Sequence, residues 1–374
     1  MNTHILSTAA YRRAVSIRDL TDPGQGPHAL QLLVDAIRGA LVDAWSCAAL
    51  VRRSNPVVPI EDNYDRLHYP PDGAAREARY TRYVSDRLVL RTQTSAMIPP
   101  LLSSLDAATP RDLLLLCPGI VYRRDSIDRL HTGEPHQLDL WRLRRGPRLG
   151  LDALADMIAI VVGAALPGRA YRVTPARHPY TVDGVQLDVE HGGAWVEIGE
   201  CGLALPELLR ECGHDPARVS GLAMGLGLDR LLMLRKGVED IRLLRALDPR
   251  VSMQMLDLAP YRAVSHQPPV RRDLSIVTGA ELSEALLGDR VRSELGDDAA
   301  CVESIELVAE TAYAALPPAA RARLGLTPSQ KNVLLRLVLR HVDRALTSAE
   351  ANALRNAVYS ALHEGPRAEW AEDG

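Results

Sequence analysis

The stretch YRRDSIDRLHTGEPHQLD, residues 122–139, constrains this chain more than any other. Residues 117–122 and 137–143 read as two antiparallel strands that flank a polar connection. Two adjacent arginines, a carboxylate two residues past the first, His131 and the His136/Gln137/Asp139 cluster give that connection more chemistry than a plain surface loop requires. Strands and helices elsewhere do not alternate regularly. That pattern indicates an α+β domain, with several antiparallel strands and helices on one side, and not a doubly wound sheet.

An early amphipathic helix is expected where Leu30, Leu33, Val34, Ile37, Leu41 and Trp45 recur at the spacing of one helical face. Residues 53–70 are punctuated by proline around Val57 and Val58 and read as a strand entering a loop. Residues 87–94 alternate like a strand, and 95–105 read as a helix that Pro99 and Pro100 interrupt early. A helix follows at 151–166, apolar over much of its circumference, then strands at 185–189, 194–198 and 221–225 and a helix from 228 to 235. Pro, His and Gln cluster at 258–269, which sets a boundary between domains 1–258 and 259–374. The tail reads strand 270–278, helix 280–295, strand 300–308, a Pro-rich loop, strand 333–341 and helix 348–362, with a short last strand near Trp370. Thr347 followed by Glu350 is a capping-box pattern. The βαββα order suggests a split βαβ sandwich.

With 374 residues there is room for two unequal domains, and 47% apolar with 24% charged residues is the composition of a globular chain. No apolar run approaches a membrane span, and a cytoplasmic location is expected. The formal net charge of -3 means that a nucleic-acid partner would be held by a local basic surface, not by a global field. Cys47, Cys117, Cys201, Cys212 and Cys301 lie far apart and make no CxxC pair, so reduced, mostly buried thiols are expected. Arg12, Arg13 and Arg18 precede the first acid, Asp19, in faint likeness to an organellar transit segment; an ordinary N-terminus is the reading carried forward. The chain has no phenylalanine and 11 tyrosines. Lys236 and Lys331 are the only lysines. Base composition would deplete Phe and Tyr codons alike, so the absence of Phe needs a cause of its own.

Gly221 to Arg230, GLAMGLGLDR, lets backbone approach a nucleotide at its glycines and sets Arg230 at a helix start. A GxG followed by Arg is weak evidence, since a dinucleotide fingerprint needs a third Gly where Arg230 stands and a tight turn has the same glycines. The combination is more specific. YRRD…HTGEPHQLD, RTQTS (91–95), WVEIGECG (195–202) and GLGLDRLLMLRKGVEDIRLL, taken in order, resemble the segments of class II aminoacyl-tRNA synthetases of the phenylalanyl branch. The match takes in NYDRLHYP (63–70) near motif 1 and continues through YRAVSHQPPVRRDLSIV (261–277) and LRLVLRHVDRALTSAE (335–350), which resemble a ferredoxin-fold anticodon-binding domain. It spans about residues 27–365, in the single-chain, organellar arrangement.

The resemblance implies a class II antiparallel sheet flanked by helices, a C-terminal ferredoxin-like α/β sandwich, and ATP with Mg²⁺ as cosubstrate and metal. Arg123 would contact the α-phosphate, Asp125 would stand at the motif 2 acid, His131 would approach ATP, and Arg230 would grip the γ-phosphate. Gln137 and Asp139 would hold the substrate ammonium, Ser95 would line the amino-acid pocket, and Glu197 would lie at its floor near Mg²⁺. An ammonium wants a carboxylate and an amide acceptor, which Asp139 and Gln137 supply. Arg271, Arg272, Arg336, Arg340 and Arg344 would meet tRNA phosphates; a solvated sheet face carries the same charges. Class II chains of this kind act as monomers or homodimers.

The family reads its aromatic substrate with an FPF element, and here His178, Pro179 and Tyr180 stand in its place. A placed polar group rejects the analogue that lacks its partner, so His178 and Tyr180 point to a ring with a polar substituent, while the same residues replacing two Phe rings would still accept phenylalanine. Gln93 replaces His in RTHTS, Pro135 replaces Phe in FHQ, and Leu222, Ala223 and Met224 stand in GFAFG, with Ala223 and Met224 expected at the pocket. Ile276 and Leu335 replace Phe far from the site, which pocket specialisation does not explain. A chain translated when phenylalanine charging fails would carry this composition. The expected activity is activation of phenylalanine or a related aromatic amino acid and its transfer to tRNA; a non-tRNA acceptor and a regulatory paralogue are the alternatives.

Overall fold

The computed structural model describes residues 5–366 apart from 78, 79, 107, 265–267, 280, 281 and 343. The expected strand near Trp370 lies outside the described residues. Two compact units emerge: one comprises residues 1–123, 134–239 and 253–261, the other 124–133, 240–252 and 262–374. The second unit therefore takes in two excursions from the 1–258 stretch.

The strands in chain order are β1 (Ala48–Val51), β2 (Val57–Pro59), β3 (Leu88–Leu90), β4 (Asp112–Ile120), β5 (His136–Arg145), β6 (Tyr171–Pro175), β7 (Thr181–His191), β8 (Ala194–Ala204), β9 (Val219–Gly227), β10 (Val270–Gly279), β11 (Val302–Ala312) and β12 (Gln330–Leu339). Among the described residues the first unit carries a seven-stranded sheet in the order β1-β4-β5-β9-β8-β7-β6. All neighbours are antiparallel except β1, which runs parallel to β4. β1 and β6 were not expected from the sequence: Ala48–Val51 is too short to show alternation, and β6 is mostly exposed.

Successive side chains of a strand point to opposite faces, and this sheet uses both. On one side the helices Ala29–Trp45 and Leu151–Ala165 pack together, the first burying Leu30, Leu33, Val34, Ile37 and Leu41 as its periodicity requires. On the other side Leu113, Leu115 and Cys117 of β4, Trp141 and Leu143 of β5 and Ala223 of β9 form a core with Met97, Ile98, Leu101 and Leu102. Those last residues belong to a 3-10 turn, Thr94–Met97, that runs into the helix Ile98–Ser103. Pro99 and Pro100 do not interrupt this helix. They stand in its first turn, where backbone N–H groups have no intrahelical acceptor to lose. Near the start of the described residues a helix spans Thr8–Ser16, capped by Ser7. Cys47, Cys117, Cys201 and Cys212 are buried thiols and Cys301 is half-buried. No described helix is long and apolar enough to cross a membrane.

In the second unit β10, β12 and β11 pair antiparallel in that order. Leu335, Leu337 and Leu339 lie on one face of β12 and pack with Ile276, Leu287, Val291, Leu354 and Val358. The helices Glu284–Leu295 and Ser348–Leu362 cover this face, the second with the anticipated capping box between Thr347 and Glu350. The helix Pro318–Leu324 occupies what reads in sequence as a Pro-rich loop. Ile127 belongs to this core, and its carbonyl accepts from Ile305 N at 3.1 Å. The middle of the 122–139 stretch is thus built into the second unit.

Candidate active site

Gln137 and Asp139 are two residues apart on β5 and share a face of the sheet. Ser95 in the 3-10 turn donates its hydroxyl to Asp139 Oδ2 at 2.6 Å, Trp141 Nε1 donates to Oδ1 at 2.9 Å, and Thr94 Oγ1 adds a bond of 3.4 Å. Gln137 Oε1 accepts from Thr94 N at 3.3 Å. Asp139 is 3% exposed. Burial pushes its carboxyl up to about 6 against these three donors. A nearly buried carboxylate whose named hydrogen-bond partners are neutral is an arrangement suited to an incoming cation.

Glu200 and Glu197 join the same face for different reasons. Glu200 stands opposite Gly225, which stands opposite Asp139, so alternation alone places it. Glu197, three residues earlier, would face away in a regular strand. The ladder between β7 and β8 pairs Leu187 with Gly199 and then Asp188 with Glu197, which leaves Ile198 as an extra residue. This β-bulge reverses the alternation and returns Glu197 to the face of Glu200. Arg230, from the first turn of the helix Leu228–Lys236, donates to the backbone carbonyl of Glu197 at 2.9 Å. Arg123, at the end of the peptide that follows β4, donates Nε to the carbonyl of Thr92 at 2.8 Å. Partial burial and the nearby Glu200 push the Glu197 carboxyl up, while Arg230 and Arg123 pull it down. Both guanidinium groups therefore act on one carboxylate, from elements more than a hundred residues apart in sequence.

Aromatic rings wall the space beside Asp139. Tyr180 stacks on Trp141 with centroids 6.2 Å apart and lies 6.4 Å from Tyr69, and its hydroxyl is 3.5 Å from Ser95 Oγ. Tyr69 donates to Gln93 Oε1 at 2.8 Å, and burial pushes its hydroxyl up to about 12. His178 hydrogen-bonds to the carboxylate of Glu200. Ala223 lies on this face, opposite Trp141. Met224 does not: alternation turns it to the helix-covered face, opposite Leu140 and Cys201, where it is 1% exposed. The expectation that Met224 lines the pocket is corrected accordingly.

Asp125 and His131 belong to the second unit. The Asp125 carboxylate accepts from Ser126 N at 2.9 Å, and Arg292 donates to the carbonyls of Asp125 and Ser126 at 2.6 Å each. His131 Nδ1 lies 2.6 Å from Asp128 Oδ2. Most of the tail arginines are engaged with side chains. Arg336 forks onto Asp273 at 2.8 and 2.9 Å, Arg272 donates to Asn352, Arg344 pairs with Glu350, and Arg340 joins Arg129 around the buried Glu303. Arg271 is exposed on β10.

Sequence reasoning missed Trp141, Tyr69 and Glu200. Trp141 was within reach, two positions past Asp139 on an alternating strand; Tyr69 and Glu200 lie inside the segments 63–70 and 195–202, where nothing local marks which side chain enters the site. His136, beside the site, is fully buried. Leu20 N donates to its Nε2 at 3.1 Å, which places the ring proton on Nδ1, 2.9 Å from Asp229 Oδ1. His136 thus ties the start of β5 to the residue before Arg230.

Residues 28–255 match the family described as tRNA synthetases class II core domain (F). The chain is 34% identical over 188 residues to the phenylalanine--tRNA ligase alpha subunit of Prochlorococcus marinus (strain NATL2A), an alignment covering 50% of this chain and 54% of that one. It is 34% identical to the same subunit of Prochlorococcus marinus (strain MIT 9313), over 56% of this chain and 61% of the relative. The corresponding subunit of Clostridium botulinum (strain Hall / ATCC 3502 / NCTC 13319 / Type A) is 30% identical over 62% of this chain and 71% of its own. The chain spans little more than half the length of the first two of these relatives.

Proposed function

Since the chain belongs to the phenylalanyl-tRNA synthetase family of class II tRNA synthetases, we propose that it activates an aromatic amino acid with ATP and passes it to tRNA. The observation that carries this reading is the buried Asp139 carboxylate, cradled by Ser95, Trp141 and Thr94, on the sheet face that also holds Glu197, a carboxylate on which both Arg123 and Arg230 act.

Asp139 and Gln137 receive the α-ammonium, which orients the substrate carboxylate toward the arginines. One carboxylate oxygen attacks the α-phosphorus of ATP in line, and pyrophosphate leaves. Charge that builds on the phosphate oxygens is met by the guanidinium groups of Arg123 and Arg230, planar donors suited to phosphate. A tRNA 3′-terminal hydroxyl then attacks the activated carbonyl and releases AMP. Among the described residues no group of three His, Cys, Asp or Glu forms a metal cage. A magnesium ion brought in with the nucleotide would be held by the Glu197 carboxylate and would supply charge neutralisation of the phosphates. The tRNA contact falls to the second unit, where Arg271 and its neighbours offer cations, and the setting is cytoplasmic.

ATP–pyrophosphate exchange with the purified chain alone, across aromatic amino acids, tests the first step. Charging of tRNA with the best substrate tests the second. Exchange that is lost in Arg123→Ala and Arg230→Ala supports the reading, and no exchange with any amino acid overturns it. Exchange without charging moves the acceptor away from tRNA. Exchange that needs an added partner subunit would make this chain one half of the enzyme.

A further inference from the structure

Asp139 and Glu200 face each other across Gly225, in register and on one side of the sheet. Two interstrand steps separate their backbones, roughly 10 Å. Gly225 puts no side chain between them, and a Cβ there would meet only Asp139 Oδ2, at 3.9 Å. The two carboxylates therefore bound an open trough about as long as one aromatic amino acid. Its ends differ in chemistry. Beside Asp139 stand the stacked faces of Tyr180 and Trp141. At the other end Glu200 is hydrogen-bonded by His178, whose ring lies 6.0 Å from that of Tyr180. The His178 side chain is 12% exposed and that of Glu200 is 40% exposed. His178 is thus packed in place, while the carboxylate it holds keeps room to accept a further donor.

We propose that this trough selects an amino acid whose aromatic ring carries a hydrogen-bond donor, a hydroxyl or an amino group, which Glu200 accepts while His178 positions Glu200. The inference rests on the amino-acid activation proposed above and goes beyond it by naming the substrate class. With the ammonium at Asp139, the ring lies along Tyr180 and its far edge reaches Glu200. An unsubstituted ring would strip water from the Glu200 carboxylate and give it nothing in return, the situation in which a site rejects an analogue most strongly. The flat walls suit a ring better than an aliphatic chain ending in a second ammonium.

The test compares kcat/KM in ATP–pyrophosphate exchange for phenylalanine, tyrosine, 3-hydroxyphenylalanine, 4-aminophenylalanine and lysine, using the full-length chain and its Glu200→Leu and His178→Phe variants. Calorimetric binding of the same amino acids without ATP gives a second readout. At least one ring-donor amino acid is expected to exceed phenylalanine by about tenfold or more. That ratio should fall by about tenfold in Glu200→Leu and in the same direction in His178→Phe; as a ratio, it does not depend on how much of a variant is folded. Preference for phenylalanine or lysine in the parent, or a ratio that both variants leave unchanged, overturns the proposal while leaving the activation reading in place. No exchange with any amino acid removes the activation reading itself, and this inference with it.

Discussion

Burial holds the Asp139 carboxyl at about 6, against 3.8 for an ordinary aspartate, although Ser95, Trp141 and Thr94 all donate to it. Unfolded chain releases this proton near 3.8 and folded chain near 6, so between those values the folded state binds more protons. Its stability contribution is then fully present below about 3.8 and is lost as pH rises through about 6. Asparagine keeps the shape and escapes the loss. Asp139→Asn is expected to be more stable than the parent at pH 8, by on the order of 2 kcal/mol, and no more stable at pH 4, as read from urea midpoints. An equal midpoint at pH 8 would mean that burial is not what raises this carboxyl. Function runs the other way, because an ammonium needs the ionised form. Parent affinity for the amino acid should weaken as pH falls below about 6, approaching a tenfold loss per pH unit, and the variant should bind weakly at every pH. Equilibrium dialysis across pH 5 to 8 distinguishes the two curves. The pairing of Gln137 with Asp139 was legible because residues i and i+2 share a strand face. The same alternation turns Met224, adjacent to Ala223 on β9, to the opposite face.

At the scale of elements, His136 joins β5 to the helix that carries Arg230. Asp229 is 5% exposed and accepts both the backbone N and the ring of His136. His136→Ala would leave a buried carboxylate short of a donor, at a cost of roughly 2–4 kcal/mol, and would loosen the start of the Arg230 helix. A chemical denaturation midpoint within about 0.5 kcal/mol of the parent would remove the claim. The histidine was visible in sequence; its partner, 93 residues away, was not. The capping box at Thr347 and Glu350 and the apolar stripe of the Ala29–Trp45 helix were both legible, since each is a pattern within one turn or one face. Pro99 and Pro100 were ambiguous, because proline breaks a helix interior and begins a helix equally well, and the difference lies in where the preceding turn ends.

At the scale of the whole molecule, the chain order and the compact units do not coincide. Ile127 lies in sequence between β4 and β5 of the large sheet, yet it packs in the core of the second unit with Arg129 paired to the buried Glu303 at 2.8 Å. Ile127→Ala is expected to destabilise that unit by roughly 2–4 kcal/mol. Amide exchange of β10, β11 and β12 should quicken while β4 and β5 keep the parent rate; unchanged exchange in β12 would contradict the assignment. Replacement of phenylalanine reaches this core too, where Ile276 and Leu335 are fully buried and aliphatic side chains fill the space. Strand alternation, helix amphipathicity and the family likeness are legible from the residues alone, because those signals have periods of two to four residues or fixed local order. The folded chain alone reveals that a bulge at Ile198 brings Glu197 round to the arginines, that Glu200 faces Asp139 across Gly225, and that residues 124–133 belong with the tail. Each of those depends on pairing with strands or side chains far away in the sequence, and no local pattern encodes the partner.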